Sequence, residues 1–425
     1  IYDEQLELRG GFGLYSGGNP NVWISNSYSN DGVRNIQESA RDVQLLGPDA
    51  VAFVNGGKAG FDIPLDLYNS VGSGSADDST NVTDPNFELP SEWKYSLGAT
   101  YVTESDFVFT VDYLYTDKKD SALIRNLTLA SNETAPDGRP IYNDSIHSRK
   151  SDLLLTNVSG ADAYTHVLSF GMNKSFDNGI DIALSYAYTK SNDVHPMTSS
   201  VAFSNFHGIA VHDPQNPGVS TSNYEIPHRA TMSLSYKHQF IDGLDTKFSL
   251  FGQAAKTNPY SYTFDNTGMF GYADNKRDLL YVPRDNDGLV EYGFHTNDQG
   301  EKVPFQKADF DKWVEREGLT RGDIQGRNSQ DGDWWVTFDL KVEQEFGGFA
   351  DGHKGSAFFV IKNVGNLLND NWGTLNTGSS MQNAVTASIN DNGQYVFEEF
   401  NYPSGTDFEV RPSLYEIRLG VKYDF

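Results

Sequence analysis

Cysteine is absent from all 425 residues. That rules out a disulfide scaffold, thiolate metal sites and cysteine nucleophiles. No uncharged apolar run approaches the roughly 20 residues that a membrane-crossing helix needs, so a helical membrane protein is excluded. Basic residues are scarce, 32 Lys and Arg against 58 Asp and Glu for a net charge of -26. This balance argues against a nucleic-acid binder and suits acidic loops that attract cations or keep a surface soluble. There is no HExxH, no Gly-rich phosphate loop before Lys-Ser/Thr and no GxSxG elbow, so no enzyme is expected. There is also no Met start and no charged-then-apolar signal segment at Ile1. The chain opens inside an expected strand, Gln5 to Tyr15, as a mature fragment or the tail of a longer protein would.

Aromatic residues, by contrast, make up 13% of the chain, with 23 Tyr and 27 Phe against 6 Trp, and Gly is plentiful at 40. Tyr and Phe favour strands and membrane interfaces, and Gly favours turns. Hydrophobic content is only 38%. A barrel in a membrane shows lipid only every second residue, so a polar average is compatible with one.

The last dozen residues show the pattern most clearly. Tyr415, Ile417, Leu419, Val421, Tyr423 and Phe425 fall on one face of a strand, and Glu416, Arg418, Lys422 and Asp424 on the other. The same alternation marks ten strands, near 4–15, 93–103, 107–117, 163–174, 180–190, 228–239, 244–255, 334–346, 355–363 and 414–425. Each is about ten residues long, enough to cross a bilayer at a barrel's tilt. Short turns such as Thr103-Glu104-Ser105-Asp106, Asp177-Asn178-Gly179 and Asp242-Gly243 alternate with loops near 16–92, 118–162, 191–227, 256–333 and 364–413. This asymmetry is that of an all-β, antiparallel transmembrane barrel with tight periplasmic turns and long extracellular loops. The polar rows carry Asp339, Lys341, Glu343, Glu345, Glu416, Arg418 and Lys422. A narrow lumen would have to pair that much charge, whereas a wide one leaves it hydrated, so the ten strands are expected to be part of a wider barrel.

Several stretches carry a family resemblance: Arg9-Gly10-Gly11-Phe12-Gly13, Val22-Trp23-Ile24-Ser25-Asn26, Tyr28-Ser29-Asn30-Asp31-Gly32, Pro259-Tyr260-Ser261-Tyr262, Asp278-Leu279-Leu280-Tyr281-Val282-Pro283, Gly326-Arg327-Asn328, and Asn363-Val364-Gly365-Asn366-Leu367-Leu368-Asn369 with Trp372-Gly373. In this order, across nearly the whole chain, they resemble the C-terminal part of a TonB-dependent outer-membrane receptor of the Oar-like, OmpA-related kind. The resemblance implies a 22-stranded barrel around an N-terminal plug, with energy delivered through a box bound by TonB. Residues 1–425 would then supply the last ten strands, with twelve strands, the plug and the box upstream. The family's plug residues have no positions here to be carried onto.

Candidate sites each have a plainer structural reading. The row Leu419, Val421, Tyr423, Phe425 resembles the signal read by the barrel-assembly machinery, and it also suits a lipid-facing strand end. Pro304 to Gly318 reads as a short helix with Phe310, Trp313 and Val314 on one face, able to touch a ligand or to pack its loop. Tyr260, Tyr262, Phe264, Phe270 and Tyr272 could stack on a ligand or pack the loop, and Trp372 suits an interface anchor. His207, His212 and Asp213 lack the spacing of a known metal site. Asp285-Asn286-Asp287-Gly288 fails the EF-hand pattern because Pro283 and Phe294 hold its first and twelfth positions. No cofactor is expected beyond calcium held loosely in acidic loops. Arg321-Gly322-Asp323 and the sequons at Asn81, Asn126 and Asn157 are short enough to recur by chance.

The expected role is therefore active import of a scarce small solute or peptide across the bacterial outer membrane. The expected partners are the bilayer with its lipopolysaccharide, the assembly machinery and TonB. One rival is a surface adhesin or binding barrel without transport. Another is a secreted soluble β-solenoid or sandwich that binds carbohydrate.

Overall fold

The structure, a computed structural model, describes residues 5–16, 21–31, 79–143, 151–272, 276–350, 352–403, 405 and 407–424, with short pieces between 50 and 70. Ten long strands form one antiparallel meander: β1 (Leu6–Ser16), β2 (Ser91–Val102), β3 (Val108–Lys119), β4 (Tyr164–Ser175), β5 (Ile180–Asp193), β6 (His228–Ile241), β7 (Leu244–Lys256), β8 (Trp334–Gly347), β9 (Lys354–Lys362) and β10 (Glu416–Asp424). Each pairs with the next in sequence. All ten lie where the alternation marks them. Tight turns join β2–β3, β4–β5, β6–β7 and β8–β9, and long connections join the rest. In the β4–β5 turn, Gly179 adopts φ +87°, and a Cβ there would lie 2.1 Å from the Lys237 carbonyl oxygen. Only glycine fits that corner.

Register carries the alternation across the whole sheet. Leu8, Ala99, Val111, Phe170, Tyr186, Ala230, Ala254 and Val336 stand opposite one another in turn from β1 to β8. Ile182, Leu234, Leu250, Leu340, Ile361 and Ile417 continue the same face from β5 to β10. A slip of one residue would turn any strand's apolar set to the wrong side. Among the described residues no second sheet covers this face: Leu97, Phe12 and Leu419 are 65%, 77% and 80% exposed. Burying one such side chain is worth roughly 1.5–3 kcal/mol, so a bare face of ten strands calls for a hydrocarbon environment rather than water. A dry sandwich is excluded.

Aromatic belts border the face at both ends. Towards the long loops, ring contacts link Phe12 to Tyr95 (6.4 Å), Tyr95 to Tyr115 (5.9 Å), Tyr115 to His166 (4.9 Å) and His228 to Trp334 (5.9 Å). Towards the tight turns, Phe107 meets Phe109 (6.2 Å), Tyr236 meets Phe248 (6.5 Å) and Phe349 meets Tyr423 (5.5 Å). Amphipathic rings settle at the two interfaces of a bilayer, and an apolar band between two such girdles is the signature of a membrane barrel wall.

Among the described residues β1 pairs only with β2 and β10 only with β9, so the ten strands form an open arc. The long loops fold into a body above it. One core joins the loops after β3, β7 and β9, burying Tyr262, Phe264, Phe310, Trp313, Tyr395 and Phe397 among others. A second core joins the loops after β1, β3 and β5 through Ile124, Leu153, Leu155 and Phe206, with Trp23 packed against it. The first core is built on a four-stranded sheet whose strand Ser261–Phe264 runs parallel to Met381–Ile389.

Candidate functional site

The inner face of the arc is polar and charged. Arg9 on β1 reaches across β2 to Asp112 on β3, with Nη2 2.5 Å from Oδ1, and its Nη1 donates to Thr100 Oγ1 at 2.8 Å. Gly98 lies between them in register. A Cβ on Gly98 would fall 2.2 Å from Asp112 Oδ1, so the glycine makes the crossing possible. On β8 and β10 the charges pair with neighbours two residues along the same strand: Lys341 with Glu343 (2.6 Å), Arg418 with Glu416 (2.6 Å) and Lys422 with Asp424 (2.8 Å). Exposed pairs of this kind contribute little to stability. They are compatible with a hydrated bore and require no charge from an opposite wall.

At the long-loop end this face opens on a hollow of about 260 Å³ between β2, β3 and β5, the helix α1 (Asn21–Ser29) and the loop after β5. Lys118 at the end of β3 donates to the Asn192 carbonyl (2.7 Å) and to Ser191 Oγ (3.4 Å). Behind it, the buried Arg327 is bonded to Asp193 Oδ1 (2.6 Å) and to the carbonyls of Asp193 (2.7 Å) and Val194 (3.1 Å).

His195 forms the back of the hollow. The Met197 amide donates to its Nδ1 (3.0 Å), which fixes the tautomer, so Nε2–H donates to the Asn205 carbonyl (2.9 Å). Burial, with the Arg327 guanidinium nearby, pushes His195 down to about 4. Burial and Arg277 do the same to His207, also to about 4. Both rings are therefore held neutral, while in the unfolded chain they titrate near 6.5. Between those values the unfolded state binds more protons, so this segment's stability is full above about pH 6.5 and falls as pH drops towards 4. Protease cleavage within residues 194–227 should rise several-fold from pH 7.5 to pH 5, and a His195→Gln, His207→Gln double variant should flatten the profile. A wild-type profile that is already flat over this range refutes the assignment.

The aromatic loop candidates lie within the loop body. Tyr262, Phe264 and Trp313 are 3%, 0% and 1% exposed, and Tyr260 is half-buried. The Tyr262 and Trp313 rings are 4.7 Å apart, and Tyr262 Oη donates to Glu317 Oε2 (3.1 Å). For Tyr262, Phe264 and Trp313, apolar faces spent on one another leave a solute no surface to touch, which fits packing. The expected helix at 304–318 forms over Lys307–Arg316, with Phe310, Trp313 and Val314 as its buried face. Leu419, Val421 and Tyr423 share the outward face of β10, while Phe425 lies outside the described residues.

Other motifs are occupied by local structure. Asp213 accepts from Tyr142 Oη (2.6 Å) and the Gln215 amide (2.8 Å), and among the described residues no group of three or more His, Asp or Glu is placed to hold a metal. Asp287 of the acidic turn accepts from Tyr281 Oη (2.8 Å) and two backbone amides. Arg321 of the tripeptide is bonded to Asp311 (2.9 Å).

Sequence reasoning missed the buried ion pairs. Arg139 and Asp137 meet at 2.6 Å with almost no exposure, and Arg327 and Asp193 at 2.6 Å. The one signal was the place of Arg327 in the Gly326-Arg327-Asn328 stretch.

A family model described as outer membrane beta barrel domain matches residues 2–353. The chain belongs to this family. An outer membrane β-barrel protein sits in the bacterial outer membrane, with lipid against the apolar face described above. The crystal structure of the outer membrane transporter YddB from Escherichia coli matches with a TM-score of 0.36 and 13% identity, over 84% of this chain and 36% of that one. The chain thus spans little more than a third of that protein's length. No curated protein matches.

Proposed function

We propose that this outer membrane β-barrel protein is a non-enzymatic, TonB-dependent receptor of the Oar-like kind that imports a scarce solute. The observation that carries the reading is the open arc. Among the described residues the ten strands, with their hydrated charged inner face, leave two edges unpaired, and an unpaired edge in lipid is prohibitively costly. A wall closed by further strands encloses a bore wide enough for a plug and a solute path. The folded loop body over one end supports selection at the outer face, where long loops of such barrels lie. In this reading the outward row of β10 meets the assembly machinery, and lipopolysaccharide packs against the upper aromatic belt. The solute and any loop-bound calcium follow from loops that the fold alone does not specify.

Crosslinking in intact cells tests the reading. The native protein should crosslink to TonB, and collapse of the inner-membrane proton gradient should abolish energy-dependent solute accumulation. Normal assembly and surface display with no crosslink would decide for the adhesin.

A further inference from the structure

The hollow at the mouth of the inner face has a chemistry that its structural role does not use up. Lys118 and Glu92 stand directly opposite each other on β3 and β2, and both line the cavity. Lys118 has three N–H donors, of which the Asn192 carbonyl and Ser191 take two. Glu92 holds Lys94 through Oε2 at 3.2 Å, which leaves its second oxygen as an acceptor. The hydroxyls of Ser121 and Tyr224, residues also in the lining, make no hydrogen bond to other described residues. Tyr224 is 66% exposed. Trp23 completes the wall, its ring fixed by an indole N–H bond to the Ser199 carbonyl (3.1 Å).

We propose that this hollow binds a hydroxyl-rich solute the size of one sugar ring. A free hydroxyl both donates and accepts, as a sugar hydroxyl does, so the two of them can exchange bonds with a polyol in either sense. The Lys118 ammonium and the Glu92 carboxylate opposite each other supply one strong donor and one strong acceptor, both of which a polyol can use. The Trp23 and Tyr224 rings offer apolar surface to the C–H faces of a pyranose. The volume, about 260 Å³, admits a single ring with its hydroxyls and not a chain. The solute class rests on the receptor reading only for its fate. Its binding is a property of the hollow itself.

Calorimetric titration of the full protein in detergent tests this, with D-glucose, D-galactose, N-acetyl-D-glucosamine and D-glucuronate as probes and L-alanine and inorganic phosphate as counter-probes. At least one sugar should bind saturably. A Ser121→Val variant should weaken that binding about fivefold, the loss expected for one hydrogen bond. Lys118→Met should weaken it at least as much, while each variant keeps the wild-type shift in gel mobility between heated and unheated samples. Absence of saturable sugar binding, binding unchanged in both variants, or displacement by L-alanine or phosphate overturns the proposal. A protein that ignores all four sugars yet still crosslinks to TonB loses the solute class alone, and one that binds sugar without TonB loses only the importer reading.

Discussion

Arginine in place of Leu250 should destabilise the protein in a bilayer by about 2–4 kcal/mol, the cost of that side chain on the lipid face at midplane. Arginine in place of Gln253, three residues along the same strand, should change stability by no more than about 0.5 kcal/mol. Leu250 sits at the middle of β7, opposite Leu234 and Leu340 on the outward face. Gln253 faces the bore, opposite Thr231 and Thr337, where water solvates a guanidinium. The contrast isolates face from strand, because both substitutions leave the hydrogen-bond ladder intact. Urea titration of each variant folded into liposomes, followed by heat-modifiable mobility, gives the two free energies. Equal costs would mean that the apolar face does not meet lipid.

The wall was legible because every strand reports its own surroundings. Lipid on one side and water on the other impose a period of two that nothing distant can alter, so the alternation at 163–174 and 228–239 falls on the strands Tyr164–Ser175 and His228–Ile241. The tight turns were legible for the same local reason, since Asp-Asn-Gly specifies its own corner. The loop body was not. Its central sheet joins Ser261–Phe264 to Met381–Ile389 in parallel, segments more than a hundred residues apart with no pattern in either that names the other. The helix Lys307–Arg316 announced its apolar stripe but not what the stripe would meet. For Tyr262, Phe264 and Trp313 the residue types favour packing but leave ligand contact open, and tertiary burial separates the two. Arg327 illustrates the harder limit. Its place in the Gly326-Arg327-Asn328 stretch marks it out but does not name its partners, which come from β5 and from Ser220, more than a hundred residues away.

That buried arginine supports the second large effect. Asp193→Ala should cost the loop body about 3–5 kcal/mol, because it leaves a guanidinium in the interior with its charge uncompensated. Arg327 and Asp193 side chains are only 4% and 11% exposed, so solvent cannot screen what remains. The Asp193 and Val194 carbonyls would still accept from Arg327, but neutral acceptors do not replace a carboxylate. The damage should stay in the loops, since the pair joins the loop after β7 to the outer end of β5 and the meander below it keeps its ladder. Hydrogen exchange would then show protection lost across residues 194–227 and 319–333, with β6 and β7 unchanged. An Asp193→Leu, Arg327→Met double variant removes both charges and should recover most of that protection. If the double variant is as loose as the single one, the pair acts through shape and not through charge. If neither is loose, the loops after β5 and β7 are held by their apolar cores alone.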